Sequence, residues 1–164
     1  MTQRMLLLIA WFGWLAAGCA AHQEAASHTG QPSLHIGDSI QLRTFVMDAT
    51  HMFPLRSAAQ GLTGEGYAVQ VRGSQLRSIL PYRGRAYRSS MDLRQNGPLH
   101  FDAPVSGYTA EKSRNGEWRV HLEVRNGEEQ FHYAFRITPQ GKASLKVSSP
   151  DRDWILFEGT LRRE

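Results

Sequence analysis

Three arginines and two tyrosines crowd one short stretch of this chain, "LPYRGRAYRSS", residues 80–90. Arg83, Arg85 and Arg88 each carry a planar fork of donors that can grip a carboxylate or phosphate bidentately. Tyr82 and Tyr87 offer broad rings with a hydroxyl at one edge, able to cap a core and keep the hydroxyl wet. Two chemistries compete for this set. One is a surface that binds a ligand or partner. The other is a corner between strands, its arginines in water or on neighbouring carboxylates. Pro81 cannot donate to a sheet ladder and belongs at a strand end or edge. Gly84 supplies room or a backbone angle that other residues refuse. Both favour the corner, and on that reading Arg85 reaches a carboxylate or backbone carbonyl of its own domain.

Histidines and carboxylates offer less. His121 and His132 lie either side of Asn126-Gly127. A two-residue hairpin there sets the two imidazoles side by side, a start for a transition-metal site. Such a site normally takes three or four ligands, and the sequence shows no others nearby. The pair reads as part of a polar outer face, with no metal. Asp48, Glu65, Asp92, Asp102 and Asp153 are scattered, so only a fold could assemble an acid–base pair from them. There is no glycine-rich phosphate loop, and no "HExxH", "GxSxG" or "CxxC". The expectation is a protein that is not an enzyme and needs no cofactor.

The elements that must hold these residues read as strands. Glycine and proline punctuate the chain about every ten residues, and no helical period persists. Predicted strands are 40–50, whose start can also form a short helical turn, then 66–73, 75–80, 98–103 and 107–113. The stretch "EWRVHLEVRNGEEQFHYAFRIT" (117–138) is the plainest hairpin. Closing it on Asn126-Gly127 pairs Leu122 with Phe131, Val120 with Tyr133 and Trp118 with Phe135, all apolar and on one face. The other face pairs His121 with His132, Arg119 with Ala134 and Glu123 with Gln130. The turn before it works best as a three-residue loop, Arg114-Asn115-Gly116, with Gly116 left-handed. Tyr108 then faces Leu122, Ala110 faces Val120 and Lys112 flanks Trp118. Two more strands follow. In 141–149, Ala143, Leu145 and Val147 share a side. In 153–163, Ile155, Phe157, Gly159 and Leu161 share one side. Trp154 and Leu156 take the other, against a second layer or lining a groove. A meander of about eight or nine strands must bury its apolar face. It therefore curls into a lipocalin-like barrel or stacks as a curved β-sandwich.

The amino-terminal stretch carries an address. A basic start is followed by "MLLLIAWFGWLAAG" (5–18), which is short of the roughly 20 apolar residues of a membrane span. It has the layout of a secretory signal, and "LAAGC" ends it on Cys19, the single cysteine. This resembles the bacterial lipoprotein box, which implies acylation of Cys19. No intrachain disulfide is possible. The division is a signal peptide over 1–18, a lipidated cysteine and flexible tether over 19–33, and an antiparallel β domain over 34–164. A net charge of +4 on 164 residues does not call for nucleic acid, and export argues against it.

An ordered set of motifs carries a resemblance: "FPLRS" (53–57), "LPYRGRAY" (80–87), "LHFDAP" (99–104), "GKASLKVSS" (141–149) and "ILFEGTL" (155–161). Together they resemble a family of Bacteroidota lipoproteins catalogued as domain of unknown function 4251. In that family the central motif commonly reads "LPYFGRAY", so Arg83 stands where an aromatic is usual, and Ser57 where a glycine often is. The resemblance implies an exported all-β domain behind a lipidated or cleaved leader, and no activity. Localisation follows as the cell envelope: an outer- or inner-membrane lipoprotein with its domain in the periplasm or at the cell surface.

Three functions fit these observations. The first is an anchored binding module for a small ligand, a peptide or an envelope protein, using Tyr82, Arg83, Arg85, Tyr87 and Trp154. The second is a structural or assembly component of the envelope. The third is a hydrolase with an unrecognised carboxylate site. The interior of the barrel or sandwich discriminates: a packed interior removes the small-molecule carrier.

Overall fold

The computed structural model describes residues 35–62, 64, 66–87 and 97–162. The expected signal peptide, the lipidated Cys19, the tether and Arg88 lie outside the described residues.

A short helix, α1 (Ile36–Gln41), precedes nine strands. These are β1 (Thr44–Pro54), β2 (Gln60–Gly61), β3 (Ala68–Arg72), β4 (Gln75–Ile79), β5 (His100–Lys112), β6 (Trp118–Asn126), β7 (Glu129–Ile137), β8 (Lys142–Ser149) and β9 (Arg152–Arg162). All pairings are antiparallel between neighbours, in the order β1-β3-β4-β5-β6-β7-β8-β9. The ring shuts because β1 also pairs with β9, from Val46 against Arg162 to Pro54 against Ile155. The eight strands form a closed barrel. Beyond the reach of β3, β2 adds to the same edge of β1. At the closing seam β1 carries a bulge between Ala49 and His51. A Cβ on Gly159 would sit 1.9 Å from the Asp48 carbonyl oxygen, so only glycine allows this approach.

Period-two patterning fills the barrel. Trp118, Val120, Leu122 and Val124 of β6 point in, as do Phe131, Tyr133, Phe135 and Ile137 of β7. Phe45 meets Phe135 edge to face, with ring centroids 5.6 Å apart, and Phe101 lies 5.4 Å from Phe131. Such pairs add about 0.5–1.5 kcal/mol beyond the area they bury. Phe45, Phe131, Tyr133, Phe135 and Phe157 are each at most 1% exposed. Walls that a water-sized sphere cannot touch leave no chamber beside them, so the lumen is a core. The Tyr133 hydroxyl donates to Ser78 Oγ (3.1 Å), and Ser78 Oγ donates to the Leu99 carbonyl (2.8 Å). Among the described residues every buried side-chain polar atom has a partner.

Most expected faces hold, and the registers divide. Tyr108 faces Leu122, Ala110 faces Val120 and Lys112 faces Trp118, as the three-residue loop requires. Gly116 there has φ of 83°. The Asn126-Gly127 expectation needs correction. Asn126 pairs with Glu129, so the two-residue loop is Gly127-Glu128. Leu122 therefore faces Tyr133, Val124 faces Phe131, Val120 faces Phe135 and Trp118 faces Ile137. Gly127 has φ of 64° while Glu128 does not enter the positive region. That is the glycine-first signature of a type II′ turn, not the Asn-Gly type I′ turn. A slip of two residues leaves each side chain on its expected face, which is why the pattern could not reveal it. The segments 98–103 and 107–113 are also one strand, β5, bulged between Val105 and Gly107. Ile40 and Gln41 belong to the helix, and β1 begins only after Arg43, at φ 55°.

Candidate functional site

Asp153 is the second residue of β9 and shares the inward parity of Ile155 and Phe157. Its side chain is 1% exposed. A buried carboxylate must be paired and hydrogen-bonded, and the chain brings three donors to it. Arg56, just past β1, donates from Nε at 3.1 Å. The Arg85 backbone N–H donates at 3.0 Å. The Tyr87 hydroxyl donates to the other oxygen in a short hydrogen bond. Tyr87 first, then the Arg85 N–H and Arg56, hold the Asp153 carboxyl below the usual carboxylate range against the opposing effect of burial.

The backbone completes the corner. Asp153 N–H donates to the Arg85 carbonyl (3.0 Å), Tyr87 N–H donates to the Asp151 carbonyl (2.7 Å), and Ala86 bridges to Arg152. On the opposite edge from β8, β9 is paired with β1 only as far as Pro54 and Ile155. Residues 85–87 take over that edge where β1 leaves off. The Tyr82 hydroxyl closes the turn on the carbonyls of Arg85 (2.9 Å) and Asp153 (3.3 Å). Burial pushes the Tyr82 phenol up to about 12, with Arg152 opposing. A Cβ on Gly84 would lie 2.7 Å from the Tyr82 hydroxyl and 3.0 Å from Asp153 Cβ. Gly84 is thus a matter of room, with no left-handed angle involved.

A buried ion pair stands next door. Arg152 Nε donates to both Glu129 oxygens, at 2.7 and 3.0 Å, with side chains only 12% and 9% exposed. Ser149 Oγ adds a hydrogen bond to Glu129 at 2.9 Å, and the Arg152 guanidinium lies 5.5 Å from the Tyr82 ring centre.

Of the residues expected to bind, Tyr82, Arg83, Arg85 and Tyr87 are brought together here, while Trp154 is elsewhere. Trp154 lies half-buried on the outer face of β9 with Lys146 Nζ 4.8 Å from its ring. Arg85 reaches a carboxylate, but through its main chain. Among the described residues the guanidiniums of Arg83 and Arg85 have no partner, and both residues are exposed. The expected His121–His132 pairing does not form. His121 faces Ala134, and His132 faces Glu123, with Nδ1 3.8 Å from the carboxylate. Among the described residues no group of three His, Cys, Asp or Glu side chains could hold a metal. Arg56, Glu129, Arg152 and the central place of Asp153 escape a sequence reading. The one available signal is parity, an aspartate on the inward-facing side of a core strand.

Beside the corner, Met52, β2, Leu62, Tyr67 and Pro81–Arg83 enclose a cavity of about 250 Å³. A wider groove of about 530 Å³ crosses the outside of β7, β8 and β9, lined by Arg136, Lys142, Ser144 and Glu158 among others.

The family described as "Domain of unknown function (DUF4251)" matches residues 33–161. The chain belongs to the DUF4251 family. The match spans "FPLRS", "LPYRGRAY" and Asp153, so Arg56, Tyr87 and the carboxylate they share, with Tyr82 on the Asp153 carbonyl, meet inside the DUF4251 domain. A DUF4251 protein from Bacteroides eggerthii DSM 20697, known from its crystal structure, has the same fold. It is 12% identical, with 76% of this chain and 83% of that chain covered at a TM-score of 0.59. No curated protein matches the chain.

Proposed function

We propose that this DUF4251 chain is a non-catalytic binding module, exported and held at the cell envelope by an acylated Cys19. Its partner docks on the outside of the barrel, at the Asp153 corner. The filled lumen is the observation that carries this reading. Aromatic side chains at most 1% exposed occupy the space in which a lipocalin would carry its ligand, so recognition falls to the surface. At the corner the internal bonding consumes Asp153, Tyr82 and Tyr87, while Arg83 and Arg85 remain available to anionic groups of a partner. The same bonding disfavours a hydrolytic role for Asp153. Its carboxyl is held ionised and fully engaged, unlike an acid–base group poised near neutral pH.

Two measurements test this. Wild-type protein should fractionate with membranes and incorporate a fatty-acid label, and Cys19→Ser should do neither. A photo-crosslinking residue at position 85 should give one discrete adduct in cells, absent from the same residue at position 119 on the far wall. Equal adducts at both positions, or none at 85, would remove the corner as the docking surface.

A further inference from the structure

We propose that the slot between β2 and Pro81–Arg83 takes a short extended peptide segment bearing a carboxylate. This rests on the reading above, that a partner comes to this end of the barrel, and names its chemistry.

β2 pairs with β1 and with no other described strand. Leu62 N–H donates to the Thr50 carbonyl at 2.7 Å. In an antiparallel pair, hydrogen-bonded and non-hydrogen-bonded positions alternate. Thr50 with Leu62 is bonded, His51 with Gly61 is not, and Met52 with Gln60 is bonded. Gly61 therefore turns its N–H and C=O away from β1, toward the cavity it lines. Among the described residues nothing takes them. Approach is open as well, since a Cβ on Gly61 would meet nothing within 4 Å.

The opposite wall cannot close the seam. Pro81 has no N–H to offer the Gly61 carbonyl. Beyond it Arg83 brings a cation without an ion-pair partner among the described residues. The slot thus combines one unpaired strand position with one unpaired guanidinium. A single extended residue satisfies Gly61 by adding to the strand edge, and a carboxylate one step along satisfies the Arg83 fork. A volume of about 250 Å³ lies just under the roughly 300–1,000 Å³ of drug-sized sites, so the slot suits a short segment. The carboxylate can be a chain terminus or an acidic side chain.

The test is an NMR titration of the ¹⁵N-labelled protein as purified from cells. The probes are N-acetyl-Ala-Ala, its C-terminal amide, N-acetyl-Ala-Asp-amide and acetate alone. N-acetyl-Ala-Ala should move the Gly61 amide and the Arg83 Nε–H together. The amide probe, and Arg83→Gln with the acid probe, should bind about tenfold or more weakly, as for loss of a charge-assisted hydrogen bond. Gly61→Pro, which removes the edge N–H, should abolish the response with the remaining spectrum unchanged. Tighter binding of the Asp probe than of the free terminus assigns the carboxylate to a side chain; the reverse assigns it to a chain end. Two results overturn the proposal: shifts at Arg83 that acetate reproduces without Gly61, meaning an adventitious ion only, or no shift at either residue. Adducts at position 85 alongside either negative result would keep the docking surface and discard only the peptide slot.

Discussion

At one end of the barrel, α1 lays Ile40, fully buried, over the strand ends, and Trp118 packs closely against Gly37, where a Cβ would meet its ring at 3.3 Å. Tyr108 ties the helix down through its hydroxyl, 2.5 Å from the Ile40 carbonyl. At the other end stand two ion pairs, an exposed Arg56 on the buried Asp153 and a buried Arg152 with Glu129, framed by Tyr82 and Tyr87. The first closure is mainly apolar, and it too joins remote segments, with Ile40 and Tyr108 lying 68 positions apart. The second is ionic and gathers residues 66, 68 and 97 positions apart along the chain onto one carboxylate. An apolar lid tolerates small shifts. A buried carboxylate is less forgiving, because each lost donor leaves part of its charge uncompensated.

The difference can be broken in graded steps. Glu129→Ala removes the carboxylate that the mostly buried Arg152 grips with both oxygens and should destabilise the barrel by about 3–5 kcal/mol. Trp118→Ala should cost a similar amount, about 3–5 kcal/mol, through a cavity at the helix end. Hydrogen exchange separates them. Glu129→Ala should quicken exchange at Tyr87, Arg152 and Asp153 and spare Leu42, and Trp118→Ala should do the reverse. Uniform quickening in both variants would mean the two ends are one cooperative unit.

A smaller loss is expected for Gly84→Ala. The new methyl must displace the Tyr82 hydroxyl, an overpacking effect of about 1–3 kcal/mol, seen as a lower urea midpoint with unchanged slope. Acid should loosen only the ionic end. The Asp153 carboxyl titrates lower in the fold than its ordinary value of 3.8, so its stabilisation is present above that pH and lost as pH falls below it. The denaturation midpoint should fall below about pH 4 in the wild type and fall less in Asp153→Asn. The smallest signal is spectroscopic. Burial pushes the Tyr82 and Tyr108 phenols, one at each end, to about 12. Each Tyr→Phe replacement should remove one ionisation step near that pH from the absorbance titration. Because both are raised, their contribution to stability is lost as pH climbs from 10 toward 12.

The two hairpins around β6 show how far sequence reasoning reached. At 114–116 a like-charge clash and a misplaced Tyr108 excluded the shorter loop, and the register followed. At 126–128 both registers buried the same side chains, so only turn geometry could choose, and glycine took the first central position. The candidate site was half legible for a related reason. Pro81, Gly84 and the tyrosines announced a corner, since their constraints are local. Arg56 and Asp153 announced nothing, because their partners are distant in sequence.

Alternation of apolar and polar residues by itself determined that this chain forms antiparallel strands, and which side of β6 to β9 faces the core. It did so because a strand's side chains alternate and water sorts them. Only the tertiary structure decided that β1 meets β9 to close a barrel, and that Asp153 draws three remote donors together. Those choices depend on contacts between segments that become neighbours only after folding, where a buried charge must find its partners.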